Sequence, residues 1–448
     1  MRQVLEAELT WTGAAFEPGI RVEVAADGRI ASVGPIGGAA ASTATAEGRL
    51  GTRGAQPVTR LPGLALLPGF IDAHSHAFQR GLRGMGEAFP AGAGSFWTWR
   101  EAMYALVESL DRASLRRISA RVFAEMRDAG ITTVGEFHYV HHEREGDFAL
   151  DDAIVEAAAD AGIRLVLLYS FYATGAPGRP LAGGQRRFAT AEVAELWRQV
   201  DRLAARLDPE TQTLGVAPHS IRAASPVQIR EIHREAVRRG LPVHLHVEEQ
   251  RREIEESLAA YGRTPMAAIL DAVEDAPFTA IHCTHTAEAD MERFLAAGGT
   301  VCLCPLTEGN LGDGTPRLTQ AHAAGSRLAI GTDSNNRLAM LEEMRWLEYG
   351  QRLHGELRGA LPDARGEVAP TLLAAATTGG AGALGVAAGR IAAGHWADLV
   401  AIDLRAAALA EMPAERLLAA LVFGAGNEAI AGTYVGGRWR ATGESRKV

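Results

Sequence analysis

Residues 68–76 read Pro-Gly-Phe-Ile-Asp-Ala-His-Ser-His. An apolar run leads into the turn-prone Pro68-Gly69 pair, and two histidines follow at i and i+2. In a β-strand those positions share one face, so His74 and His76 aim both imidazoles at one point from a strand end. Imidazole suits zinc and similar borderline metals. A lone His-x-His is a weak signal, and its weight comes from the order of elements around it.

Outward from this stretch, short apolar runs alternate with amphipathic helical patterns. Candidate strands cover 64–74, 131–137, 164–171, 214–219, 243–247, 279–282, 300–305 and 328–333. Helical patterns fill the gaps, for example 114–128, 191–207, 226–239, 287–297 and 340–353. Eight strands alternating with helices predict an α/β fold, a parallel (β/α)8 TIM-like barrel. Residues 1–64 and 385–448 read differently, as short alternating β-pieces such as Arg21-Val22-Glu23-Val24 and Ala397-Asp398-Leu399-Val400, with 38–56 a Gly/Ala/Thr-rich loop. The two ends are expected to form one composite β-sandwich beside a catalytic barrel over 65–384.

The 448 residues suit a barrel of about 250 residues plus a second module; 47% are hydrophobic, ample for a large core. No window approaches the ~18 apolar residues of a membrane helix, and the N-terminus lacks the apolar core of a signal peptide. The formal charge of −9 argues against nucleic acid or an acidic membrane as partner. Three cysteines, Cys283, Cys302 and Cys304, do not describe a disulfide scaffold. They point to a reducing cytoplasm, with Cys302-x-Cys304 read as strand packing. Of 45 basic residues only Lys447 is a lysine.

In parallel barrels catalytic groups sit at the C-terminal strand ends. Strand one ends in His74-Ser75-His76, strand four in His219 with Arg222 beyond it, and strand five carries His244-Leu245-His246-Val247-Glu248-Glu249. Strand six ends in His282 and strand eight in Asp333. A buried histidine needs a polar partner. Core packing explains one of these residues but not five strand ends at once.

His74-x-His76, His246, His282 and Asp333, with the leading Leu67-Pro68-Gly69-Phe70-Ile71-Asp72 and the trailing Gly394-His395-Trp396-Ala397-Asp398, resemble the amidohydrolase superfamily. Within it, His74–Arg80, the Ser95-Phe96-Trp97-Thr98-Trp99-Arg100 block and Leu306–Gly314 resemble the branch that deiminates N-formimino-L-glutamate to N-formyl-L-glutamate and ammonia. The resemblance implies a divalent metal, taken as Zn2+, on His74, His76, His246 and Asp333. It implies Glu249, His282 and Asp333 as catalytic groups. It places Gln79, Arg100, Tyr139, His219 and Arg222 around a dicarboxylate amino-acid derivative, and it implies a homodimer. His244 is read as packing beside the site and His285 as a loop residue. Two-metal members bridge their ions with a strand-four lysine, and this barrel has none, so one metal is expected. Arg100 and Trp97-Thr98-Trp99 are read as loop after strand one, and 307–314 as either a lid or a plain loop. Two other functions stay open: a mononuclear deaminase of a purine, pyrimidine or triazine ring, and an inactive barrel serving as an assembly subunit.

Overall fold

The computed structural model describes residues 3–37, 57–85, 87, 94, 96–318 and 327–443. The 38–56 loop, Ser95 and Lys447 lie outside them. Eight parallel strands make the barrel: Phe70–Ser75, Ile131–His138, Arg164–Phe171, Gln212–Pro218, His244–Val247, Thr279–His282, Thr300–Leu303 and Arg327–Ile330. They pair in chain order as two four-stranded sheets. Parallel bridges Val216–Val243 and Ser75–Asp333 join the sheets and close the ring. The second seam therefore passes through the end of strand one, beside His74 and His76.

Local chemistry explains where strands stop. The predicted strand 64–74 divides at Gly69: Val58–Pro68 pairs with the terminal strands and Phe70–Ser75 enters the barrel. A Cβ on Gly69 would sit 2.2 Å from Thr132 Oγ1, so only glycine turns this corner. Strand seven stops at Leu303 because Pro305 opens the helix Pro305–Leu311. Strand eight stops at Ile330, short of the predicted 333, and Asp333 adopts a left-handed φ of 48°.

The expected loop around Arg100 is instead the helix Phe96–Ser109, a correction to the sequence reading. Phe96, Met103 and Val107 form its buried face, the spacing of one helix stripe. The small interior cluster of Ala73, Ile281, Cys302, Cys304, Ala329 and Ala383 fills the barrel below the site. All three cysteines are free and buried.

The two ends of the chain share one sheet. Its order is Arg438–Ala441, Ile430–Val435, Leu399–Asp403, Val58–Pro68, Gln3–Trp11, Ile20–Val24, Ile30–Pro35. Strands spread across that order bury Ile30, Leu66, Leu399 and Tyr434 in one cluster, so the sheet folds over its own core. Ala397 N–H donates to Gly28 O at 2.9 Å where its two ends meet. Arg164 of barrel strand three holds Asp398 with Nε at 2.6 Å and Nη2 at 3.1 Å. The Trp396 ring lies between Arg29 and Arg164, whose guanidinium carbons are 4.0 and 4.1 Å from it.

Candidate metal centre and active site

The barrel closure brings four donors together. His246 Nε2 is 3.2 Å from His74 Nε2 and 3.3 Å from His76 Nε2. Asp333 Oδ1 lies 3.5 Å from both His74 Nε2 and His76 Nε2. Every one of these side chains is buried. Strand eight is pinned here: His74 O accepts the N–H of Thr332 at 3.1 Å and of Asp333 at 2.9 Å. Gly331 permits this approach, because a Cβ would meet His74 O at 2.6 Å.

The donor set fits a divalent metal. His76 Nδ1 donates to Phe137 O at 2.8 Å and His246 Nδ1 to His219 O at 3.0 Å. Each bond leaves an Nε2 lone pair facing inward, as outer partners do for metal-bound imidazole. Burial pushes His74 down to about 3 and lowers His76 and His246, so all three rings are neutral. Neutral lone pairs pointing at one another repel unless a cation lies between them. A tetrahedron with Zn–N bonds of 2.0–2.1 Å has edges of about 3.3–3.4 Å, close to the distances found. His74 Nδ1 has no partner among the described residues.

Catalytic-type groups surround this cluster. His282 Nε2 is 3.7 Å from Glu249 Oε1 and 3.9 Å from Asp333 Oδ2. Burial opposes charge on His282, but Glu249, Glu308 and Asp333 outweigh it and push the imidazole up to about 10. Burial raises Glu249, against the pull of His282 and Arg222. Burial also acts to raise Asp333, yet His74, His76 and His282 hold it below the usual carboxylate range. Non-glycine φ angles of 54°, 71° and 48° at Glu248, His282 and Asp333 gather at these strand ends. Such conformations cost about 1–3 kcal/mol each and persist where the surroundings enforce them.

A pocket of about 50 Å³ joins these groups to Gln79, Arg100, Tyr139, His219 and Arg222. Gln79 Nε2 donates to Tyr139 OH at 2.9 Å. Arg100 Nε donates to Tyr104 OH at 2.7 Å. Arg222 is buried, and its nearest carboxylates are Glu253 at 3.5 Å and Glu249 at 3.7 Å. Burial and Arg222 push His219 well down, and its ring packs 4.6 Å from that of His246. Trp99 lines this pocket. Trp97 instead lines a neighbouring outer cavity of about 1230 Å³, with Arg252 over its ring at 4.5 Å.

Other histidines separate cleanly. His244 Nε2 donates to Ala383 O at 2.8 Å below the cluster, and His285 lines the outer cavity. His138, His141 and Asp151 form a further buried trio, unnoticed in the sequence. Asp151 Oδ1 is 3.0 Å from His138 Nε2 and 2.8 Å from His141 Nδ1, and Oδ2 takes Tyr169 OH and Arg202 Nη2, each at 3.0 Å. These are hydrogen-bond distances around a carboxylate already neutralised by arginine. Tyr104, Tyr172 and Phe188 also line the pocket and were missed. Tyr104 could have been found as the i+4 neighbour of Arg100 on a helix. Glu253 and Glu308 were missed as well, and Glu308 Oε1 is 3.2 Å from His282 Nδ1.

Residues 65–440 match the profile described as "Amidohydrolase family". A protein of Pseudomonas aeruginosa named formimidoylglutamate deiminase is 39% identical over 442 residues, covering 96% of this chain and 93% of that protein. A crystal structure of an amidohydrolase from Brucella melitensis superposes with a TM-score of 0.83 at 31% identity, covering 99% and 97% of the two chains. An adenosine deaminase from Xanthomonas campestris with bound zinc superposes at 0.79 and 25% identity, covering 98% and 92%.

Proposed function

Because this chain belongs to the amidohydrolase family, we propose that it hydrolyses N-formimino-L-glutamate to N-formyl-L-glutamate and ammonia, the activity for which its P. aeruginosa relative is named. The observation that carries this reading is that Arg100 and Arg222 line the same pocket as His76, His246 and Asp333 of the cluster. Guanidinium groups pair with carboxylates in two-point fashion. Two arginines suit a substrate with two carboxylates and one reactive amidine.

A single divalent metal, Zn2+ in this reading, on His74, His76, His246 and Asp333 would polarise a water and lower its pKa toward ~7. The chain's own groups do the remaining work. Arg100 and Arg222 hold the glutamyl carboxylates, with His219 beside them, and Gln79 and Tyr139 orient the formimino group. Asp333 accepts a proton from the water that attacks the amidine carbon. Glu249 protonates a substrate nitrogen and delivers the proton that leaves with ammonia. His282 donates from Nε2 to the developing oxyanion. A C–O bond replaces the C–NH2 bond, and one water is consumed for each ammonia released.

Incubation of metal-loaded protein with N-formimino-L-glutamate should yield equal amounts of ammonia and N-formyl-L-glutamate. Formamide and glutamate would mean that the other C–N bond breaks, and the reading would fail. The aromatic walls Trp99, Tyr139, Tyr172 and Phe188 favour a second reading, a ring deaminase; adenosine in the same ammonia assay tests it. Metal analysis finding one ion per chain would exclude the inactive-barrel alternative. Three free buried cysteines suit a reducing cytoplasm, and no described helix is long and apolar enough to cross a membrane. Light scattering tests the implied homodimer.

A further inference from the structure

We propose that Glu308 positions His282 for the reaction, an inference that rests on the role given to His282 above. Glu308 lies in the helix Pro305–Leu311 after strand seven. It is 4% exposed. Its Oε1 is 3.2 Å from His282 Nδ1 and accepts Cys304 N–H at 3.0 Å. The other ring nitrogen, Nε2, faces Glu249 Oε1 at 3.7 Å and Asp333 Oδ2 at 3.9 Å. Glu308 therefore holds one edge of the imidazole while the opposite edge looks into the reaction space.

The helix that carries Glu308 is itself fixed to the site. Thr307 Oγ1 donates to Thr332 O at 3.1 Å and is 3.0 Å from Ser334 Oγ, on both sides of Asp333. Leu306 N–H donates to the buried Glu343 at 2.9 Å. His282 needs such support, because its φ of 71° is left-handed. A non-glycine residue keeps that conformation only where its surroundings enforce it. Glu308 is not among the residues lining the pocket that holds Glu249 and Asp333; it lines a separate cavity. It thus acts through His282 and not on substrate, so its loss should reach turnover and spare binding.

The competing role is structural: a carboxylate capping Cys304 N–H at the helix start. Glu308→Gln keeps an oxygen for that cap and removes the charge beside the imidazole. Metal-loaded protein with 15N-labelled histidine shows the His282 ring signals, assigned by their absence in His282→Asn. In Glu308→Gln the His282 Nδ1 resonance should shift, and kcat should fall about 10–100-fold, as for other residues that orient a functional ligand. KM should change less than about threefold, with metal content and Tm unchanged. In the His282→Asn background the same substitution should cost nothing further. An unmoved resonance, an equal fractional loss in both backgrounds, or a fall in Tm and metal content matching the lost activity would overturn the proposal. If the wild type fails to turn over N-formimino-L-glutamate, the reaction is wrong, and the 15N signal alone decides whether Glu308 holds the ring.

Discussion

Glu249 and Glu136 are both buried acids in the barrel, and their surroundings give them opposite uses. Glu249 faces His282 and Arg222 across the pocket. Glu249→Gln should keep the metal, as measured by metal analysis, and lower kcat by roughly 10²–10⁴, the usual contribution of a general acid–base group. Full activity or metal loss would remove it from that role. Glu136 is sealed behind the site, accepts Ala77 N–H at 2.8 Å, and is pushed by burial up to about 8 against that bond. Its folded pKa lies above the unfolded 4.5, so its stabilising contribution is complete below about pH 4.5 and lost as pH rises through about 8. Relative to Glu136→Gln, the wild type should lose ~1.4 kcal/mol per pH unit across that window and nothing outside it; urea titrations of both proteins at several pH values check this. His74 and His76 were legible because a period of two fixes both to one strand face. Glu308 was not: it meets His282 across 26 residues, and no local pattern announces a contact made by two neighbouring strand ends.

Among elements, the barrel strands were readable and the pocket roof was not. Apolar runs marked 164–171 and 279–282 to the residue, since a strand buried on both faces needs a continuous apolar stretch. The helix Phe96–Ser109 carries a large aromatic residue off its stripe, Trp97, which faces the outer cavity, and this masked its period. The C-terminal end of that helix depends on Arg187. Its guanidinium donates to Leu110 O at 2.6 Å, to Val107 O, and to His142 O at 2.7 Å. Basic groups at a helix C-terminus satisfy its free carbonyls and its dipole. Arg187→Met should speed hydrogen exchange across 96–109 and raise KM about tenfold, equivalent to ~1.4 kcal/mol, with metal content unchanged. Slow exchange and an unaltered KM would show that the helix holds its place without this arginine.

At the scale of the molecule, Arg164 and Asp398 tie the barrel to the terminal sheet through a buried two-point contact, and Asp398 also accepts Gly436 N–H at 2.7 Å. Asp398→Asn leaves Arg164 buried without its counter-charge and should cost about 3–5 kcal/mol in denaturant unfolding, while turnover per folded molecule stays the same. The joining of both chain ends was legible, because the same alternating β-pattern appears at each. The curl of the sheet was not, since it depends on glycine turns far apart in sequence, such as Gly28 against Gly436. That shared sheet sets a timetable for synthesis. Strand Val58–Pro68 waits for Leu399–Asp403, about 330 residues later, which at ribosomal speeds of about 5–20 residues per second is roughly 15–70 s. Throughout that interval the nascent chain carries an open β-edge, the surface on which strands of other chains can add. Leu399–Asp403 is the strand that covers it.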